Sequence, residues 1–313
     1  MIKTNLIDSQ KCLPQIIIKD ILDIIPYNNR YTKSYLSLAK LISDDYQVKE
    51  VSKVNLVSNF LFYKEYGIKL HKSADFKIIK SENLDILKEN TIYRALMNND
   101  LEVFISFTEI EGFDGNQKLE SNLFRDFSSF FVFPSENKFS LLELCCYYGA
   151  VDCFKFLRTE FDSAITKLCL VFSFLGRNQE IMSECLKHQK PDRDCMKYAI
   201  ISHNIDFVTF LVNEYAISID LFACRKYNNL DSFLVFFDQT NLLINCLIYS
   251  PMFNIPSLCE YFLSLGADIN KKLLDERTAL QIAAHYNSKE AAEFLISHGV
   301  DINEKDTDGV GMR

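Results

Sequence analysis

The chain has 313 residues, more than one compact core comfortably fills, and suits an elongated array. Hydrophobic residues make up 48 % and charged residues 24 %, which excludes wholesale disorder, and 9 glycines with 6 prolines are too few for the turns of a β-sandwich or barrel. The net charge of −8 speaks against nucleic acid or an anionic membrane surface as partner, because both reward clustered Lys and Arg.

The chain opens Met1-Ile2-Lys3-Thr4-Asn5 with no uncharged apolar stretch behind it, so no signal peptide is expected. No segment has the continuous apolar length of a membrane span, and membrane insertion is not expected. The ten cysteines include no Cys-x-x-Cys pair, and Cys145, Cys146, Cys153, Cys169 and Cys259 lie inside apolar helical runs. Reduced thiols buried as small hydrophobes point to a reducing, cytoplasmic setting, without excluding the nucleus.

Residues 1–88 are expected to form a helical N-terminal cap or small domain. A helix opened by Pro14 covers Leu13 to Leu22, and helically spaced apolar residues recur over Ser34–Leu41 and Val48–Tyr66. Asn28, Asn29 and Arg30 mark a polar turn between them. The run from Leu13 to Leu22 is similar to the opening of an F-box, a helical module that docks to ubiquitin-ligase scaffolds. A plain Pro-initiated amphipathic or buried helix is the ordinary reading of the same ten residues.

Residues 89–140 hold a divergent helix pair, over 92–97 and 101–105, followed by a long connection rich in Gly, Asn, Pro and aromatics from Gly112 to Ser140. From residue 141 a pattern recurs in which an acidic or polar residue precedes an apolar run. Its starts are Asp152, Glu180, Asp206, Asp231, Ser257 and Glu290, with steps of 28, 26, 25, 26 and 33 residues. Near the end the repeat becomes literal: residues 266–270 (Gly-Ala-Asp-Ile-Asn) return as 299–303 (Gly-Val-Asp-Ile-Asn), an offset of 33.

Residues 278–284, Thr-Ala-Leu-Gln-Ile-Ala-Ala, resemble the signature of the ankyrin repeat, in which a turn precedes two antiparallel helices. Thr278 can cap the first helix, and a second should run from Lys289 to Ser297 and close at Gly299. Two departures are expected to loosen the hairpin: Glu276 at a turn position usually Gly, and Gln281 where a His usually ties adjacent loops. The runs 141–157 and 198–207 resemble a short-repeat ankyrin-like domain of uncharacterised function, found in ankyrin-repeat proteins abundant in parasitic protists. The expected fold is therefore all-α, an ankyrin-like helix-turn-helix solenoid with short hairpin fingers. Short repeats occupy 141–264; a standard repeat and the start of a truncated one occupy 265–313.

The family resemblance implies protein–protein interaction without chemistry. No catalytic residue, cofactor or metal is expected. Cys185 and His188, with Cys195 and His203, are the one zinc candidate, and the repeat register puts Cys185 in a packed helix. The glycine patterns at 112–115 and 309–311 lack a following Lys-Ser/Thr, and Ser202 and His203 are adjacent, too poorly placed for a nucleophile–base relay.

In ankyrin repeats the residues just before the inter-helix corner face a concave groove. By register these include Tyr147, Tyr148, Tyr227, Met252, Phe253, His285 and Tyr286. Asp275, Arg277, Thr307 and Asp308 lie on the hairpin tips, and His298 on the groove's flank. Tyr148 and Tyr286 are expected to be exposed there, whereas Met252 and Phe253 fit packing against a neighbouring repeat as well. A partner protein on this face is the main expectation. The alternative is a substrate-recognition adaptor of a ubiquitin-ligase complex, with residues 1–88 docking the ligase. At the C-terminus Phe294 and Leu295 are expected to lie under little cover, leaving the uncapped repeat open to self-association.

Overall fold

The computed structural model describes residues 12–79, 88–124 and 138–304. The chain divides into two compact units, residues 1–190 and 191–313, a boundary inside the run of short repeats expected to be continuous.

In the first unit, α1 (Pro14–Asp23) starts on Pro14 and buries Ile17, Ile18 and Leu22. Two 3-10 turns follow, Ile25–Tyr27 and Asn29–Tyr31, then α2 (Thr32–Asp45), which packs on α1. The helix expected from Val48 begins only at α3 (Leu56–Tyr66), because the Asn55 side chain accepts from the N–H groups of Val57 and Ser58 and starts it there. Asp23 accepts from the Asn55 N–H at 2.8 Å and Ser58 donates to the Leu22 carbonyl at 2.7 Å, locking α3 to α1.

The same unit continues with the helix pairs α4 (Ile92–Asn98) and α5 (Leu101–Thr108), α6 (Leu141–Tyr148) and α7 (Val151–Glu160), and α8 (Lys167–Gly176) and α9 (Gln179–Leu186). The stretch expected as plain connection contains β1 (Lys118–Glu120) and β2 (Lys138–Ser140), paired antiparallel with Leu119 opposite Phe139. The second unit holds α10 (Arg193–Ile201) and α11 (Ile205–Tyr215), and α12 (Leu221–Lys226) and α13 (Leu230–Thr240). It continues with α14 (Leu243–Tyr249) and α15 (Pro256–Ser264), then α16 (Ala279–His285) and α17 (Lys289–Ser297). A 3-10 turn, Ser250–Phe253, extends α14.

One corner geometry joins the two helices of every pair. Asn99, Gly149, Arg177, His203, Asn228, Asn254 and Asn287 all take positive φ between the first helix and the second. A left-handed residue reverses the chain at once, and the next N–H then bonds back to the carbonyl five residues earlier. Those bonds run from Asp100 to Ala95, Ala150 to Cys145, Asn229 to Cys224 and Ser288 to Ala283, at 2.8–2.9 Å. Asparagine tolerates this backbone better than most residues, which explains its recurrence at the corners.

First helices then pack on first helices (α4 on α6, α6 on α8, α10 on α12, α14 on α16), and second on second (α5 on α7, α7 on α9, α11 on α13, α15 on α17). No pair could bury its apolar side alone. Asparagine side chains add polar staples between neighbouring pairs. Asn99 donates to Asp152 at 2.7 Å and accepts from the Asp152 N–H at 3.0 Å. Asn254 donates to Glu290 and accepts from the Ala291 N–H at 3.2 Å. Asn229 reaches the Ile200 carbonyl at 2.8 Å.

The last pair follows the expected pattern closely. Thr278 and Gln281 form a capping box, and Gln281 Nε2 also donates to the Glu304 carbonyl at 3.3 Å. Gln281 therefore bridges to the next loop, contrary to the loosening expected of it, since its amide offers donor and acceptor together. Glu276 does sit at positive φ, the backbone a glycine would favour. Leu295, expected to be poorly covered, is fully buried against Ala279, Leu280, Ala283 and Val300. The loop after α17 folds back far enough for Val300 to close over it. Phe294 is partly buried and stacks on His298 at 4.0 Å.

Candidate functional site

The first-helix face was expected to expose its corner aromatics, and the first unit corrects this for two of them. Tyr147 and Tyr148 are 4 % and 6 % exposed. Tyr147 packs edge-on against Phe124 at 4.9 Å and Phe172 at 5.4 Å, and its hydroxyl donates to the Pro26 carbonyl at 3.0 Å. The Asn29 N–H donates to the same oxygen at 3.1 Å, and the Tyr148 hydroxyl donates to Asn29 Oδ1 at 2.7 Å. Arg30 donates to the Tyr148 carbonyl at 2.8 Å and lies 5.8 Å over its ring. The presumed polar turn is thus the segment that covers these tyrosines, and Asn29 is buried. Repeat register cannot show this, because the covering residues lie 118 to 121 positions away in the chain. Burial pushes the Tyr148 phenol well above its ordinary value, against the opposing pull of Arg30.

In the second unit Met252, within the 3-10 turn after α14, is also fully buried, a further correction. Phe253 is half-buried, its ring 5.1 Å from Phe233. Ile201 and Ser202, at the same register in α10, are buried too. Tyr227, half-buried, lies under the Lys226 ammonium at 5.1 Å, and its carbonyl contacts the His203 ring at 2.9 Å. His285 is exposed and edge-on to Tyr286 at 4.9 Å, while His298 is exposed on the flank. Thr307 and Asp308 lie outside the described residues.

What the second unit brings together is a continuous aromatic and cationic patch. Phe222, in the first turn of α12, is 46 % exposed and meets the half-buried Tyr249 of α14 edge-on at 5.6 Å. Arg277, from the finger before α16, lies 5.9 Å over the Tyr249 ring and donates to its hydroxyl at 3.3 Å. Asp275 holds the Arg277 guanidinium through contacts of 2.6 and 2.8 Å, and that cation keeps the Asp275 carboxyl below its ordinary range. Tyr286, at the end of α16, is half-buried, and its phenol is raised by burial while Arg225 and Arg277 pull the other way.

Phe222, Arg225 and Tyr249 were not picked out from the sequence. Counting back from the corner asparagines would have put Tyr249 on this face; Phe222 and Arg225 sit where α12, only six residues long, turns them outward.

Among the described residues no group of three or more His, Cys, Asp or Glu is arranged to hold a metal ion. No helix among them is long and apolar enough to cross a membrane. Nine of the ten cysteines, all except Cys12, are buried.

Within each unit, helix pairs with a shared corner geometry, first helices packed on first and second on second, define an all-α helical-repeat protein, a class that offers extended binding surfaces. Residues 221–306 match the family model of ankyrin repeats (three copies), so the chain carries ankyrin repeats. Residues 161–236 match a domain of unknown function (DUF3447). Among solved structures, the human ASB11 ankyrin repeat domain is similar at 14 % identity and a TM-score of 0.34, covering 70 % of this chain and 88 % of that one. No curated protein matches.

Proposed function

We propose that the chain is a non-enzymatic scaffold that binds a partner protein on the first-helix face of its second unit. The patch of Phe222, Tyr249, Arg277 and Tyr286 carries this reading. Half-exposed tyrosine and arginine on a rigid support are what interface hot spots use, because they offer large contact area at small cost in side-chain entropy. The corresponding tyrosines of α6 are already covered by the chain's own residues 26–30, which takes them out of the contact surface. His285 and the finger residue Asp275 flank the patch and complete its polar rim.

Affinity purification of the full chain, with mass spectrometry, tests the reading. Phe222→Ala combined with Tyr286→Ala should remove the specific partners and leave the helical content intact. Retention of every partner by that variant overturns the proposal.

A second reading has one supporting observation. At the start of α1, where the sequence is similar to an F-box opening, Leu13 just before the helix and Ile16 within it are 63 % and 43 % exposed. An exposed apolar edge on a three-helix segment suits docking to a ubiquitin-ligase scaffold. Recovery of ligase subunits by wild type, and their loss with Leu13→Asp and Ile16→Asp, would establish the adaptor role. Ile296 and Ile302 stay exposed on the last pair, and sedimentation at rising concentration measures self-association there.

A further inference from the structure

We infer that the second unit takes an acidic peptide segment of its partner, with one carboxylate seated on Arg225 beside the aromatic side chains of the patch. This rests on the binding face proposed above and specifies the chemistry that face selects.

The charges of the patch are unequally committed. Asp220 is spent as a helix cap, accepting from the N–H groups of Phe222 and Ala223 at 2.9 and 3.3 Å. Asp275 is spent on Arg277. Arg225 follows Phe222 by three residues on α12 and so shares its face of the helix, yet no carboxylate pairs with it among the described residues. Its Nη1 donates to Asn228 Oδ1 at 3.0 Å, and its Nε is buried without a hydrogen-bond partner. A guanidinium held by a neutral amide and left short of an anion is positioned, but its charge is not matched. The group that matches it is a carboxylate, which can take two parallel N–H bonds from one arginine.

The surroundings strengthen that match. Phe222, Tyr249 and Tyr286 exclude part of the water, and a charge-assisted bond gains strength where the dielectric falls. Arg277, lying over Tyr249, is matched by Asp275, which leaves Arg225 as the cation of the patch without a carboxylate. A basic segment would meet Arg225 as a like charge. A purely apolar segment would leave Arg225 further desolvated and still unmatched. The occupant best suited to the patch is therefore an acidic residue flanked by aromatic or aliphatic ones.

The test is selection of random twelve-residue peptides displayed on phage against the full chain, with wild type, Arg225→Glu and Tyr286→Ala in parallel. Wild type should enrich Asp and Glu next to apolar residues. The selected peptides, synthesised with a fluorescent label, should bind Arg225→Glu at least tenfold more weakly. Arg225→Gln, which keeps the bulk and removes the charge, should fall between the two. An unchanged urea midpoint for Arg225→Gln checks folding. Binders that depend on Tyr286 but are not acidic, or that ignore Arg225→Glu, overturn this inference and leave the scaffold reading standing. Binders indifferent to Tyr286→Ala as well, or no binders at all, overturn both.

Discussion

The Tyr148 hydroxyl donates to Asn29 Oδ1 over 2.7 Å, and the hydroxyl of neighbouring Tyr147 accepts from the Asn29 N–H at 3.1 Å. Two adjacent side chains of a repeat helix thus grip one buried residue of the N-terminal segment. Tyr148→Phe would leave the side-chain amide oxygen Oδ1 of Asn29 without this donor in a dry site. The expected loss is about 1–3 kcal/mol of unfolding free energy, measured as a lower urea midpoint. Tyr286→Phe, in the second unit and only half-buried, should change stability by less than about 0.5 kcal/mol. Equal effects from the two would show that the Tyr148 contact is not structural.

Gly149 and Gly176 touch backbone to backbone where neighbouring corners meet. A Cβ on Gly176 would stand 2.1 Å from the Cys146 carbonyl oxygen and 2.7 Å from the Gly149 nitrogen, both parts of the main chain. Gly176→Ala must push two helix pairs apart, with an expected cost of about 2–3 kcal/mol. Gly67→Ala, at φ +70° with open space around it, bears only the left-handed backbone penalty of about 1–2 kcal/mol. Thermal unfolding of the two variants compares them directly, and a milder effect at Gly176 would contradict the close contact.

Asn254 serves as both corner and staple. Asn254→Gly keeps the left-handed backbone but gives up the bonds to Glu290 and to the Ala291 N–H. Asn254→Ala gives up both. Glycine should cost about 1 kcal/mol, and alanine about 1–2 kcal/mol more, in urea unfolding monitored by circular dichroism.

Alkaline pH should weaken the fold. Burial pushes the thiols of Cys153 and Cys246 up to about 12 from an ordinary value of 9. Between those values the unfolded chain has lost protons that the folded chain keeps, so unfolding is favoured as pH rises. The stabilisation is complete below pH 9 and is lost progressively toward pH 12. Melting temperatures between pH 8 and 11 should fall, and the slope should be shallower for Cys246→Ala. An equal slope in that variant would show that the thiol takes no part.

Much of the fold is legible because its signals are local. The second helix of the last pair was expected over Lys289–Ser297 and forms there. The acid-then-apolar starts locate every corner from Gly149 onward, since a capped helix start and a left-handed reversal must fall side by side. The divergent pair near Thr91 was visible from the same pattern. The site was much less legible. Tyr148 and Tyr286 occupy equivalent register and have opposite fates, because only one has a segment folded over it. Met252 is buried, as Ile201 and Ser202 are at the same register of α10, so closeness to the corner does not by itself expose a side chain.

Periodicity, caps and corner residues in the sequence by themselves determined that this chain is a stack of helix pairs, because each acts over a few neighbouring residues. Which part of the first-helix face stays open was decided only by tertiary structure. That depends on residues 26–30 reaching Tyr147 and Tyr148 across more than a hundred positions, and on Phe222, Arg225, Tyr249 and Arg277 arriving from separate elements. Contacts between distant segments follow from packing, and no local pattern encodes them.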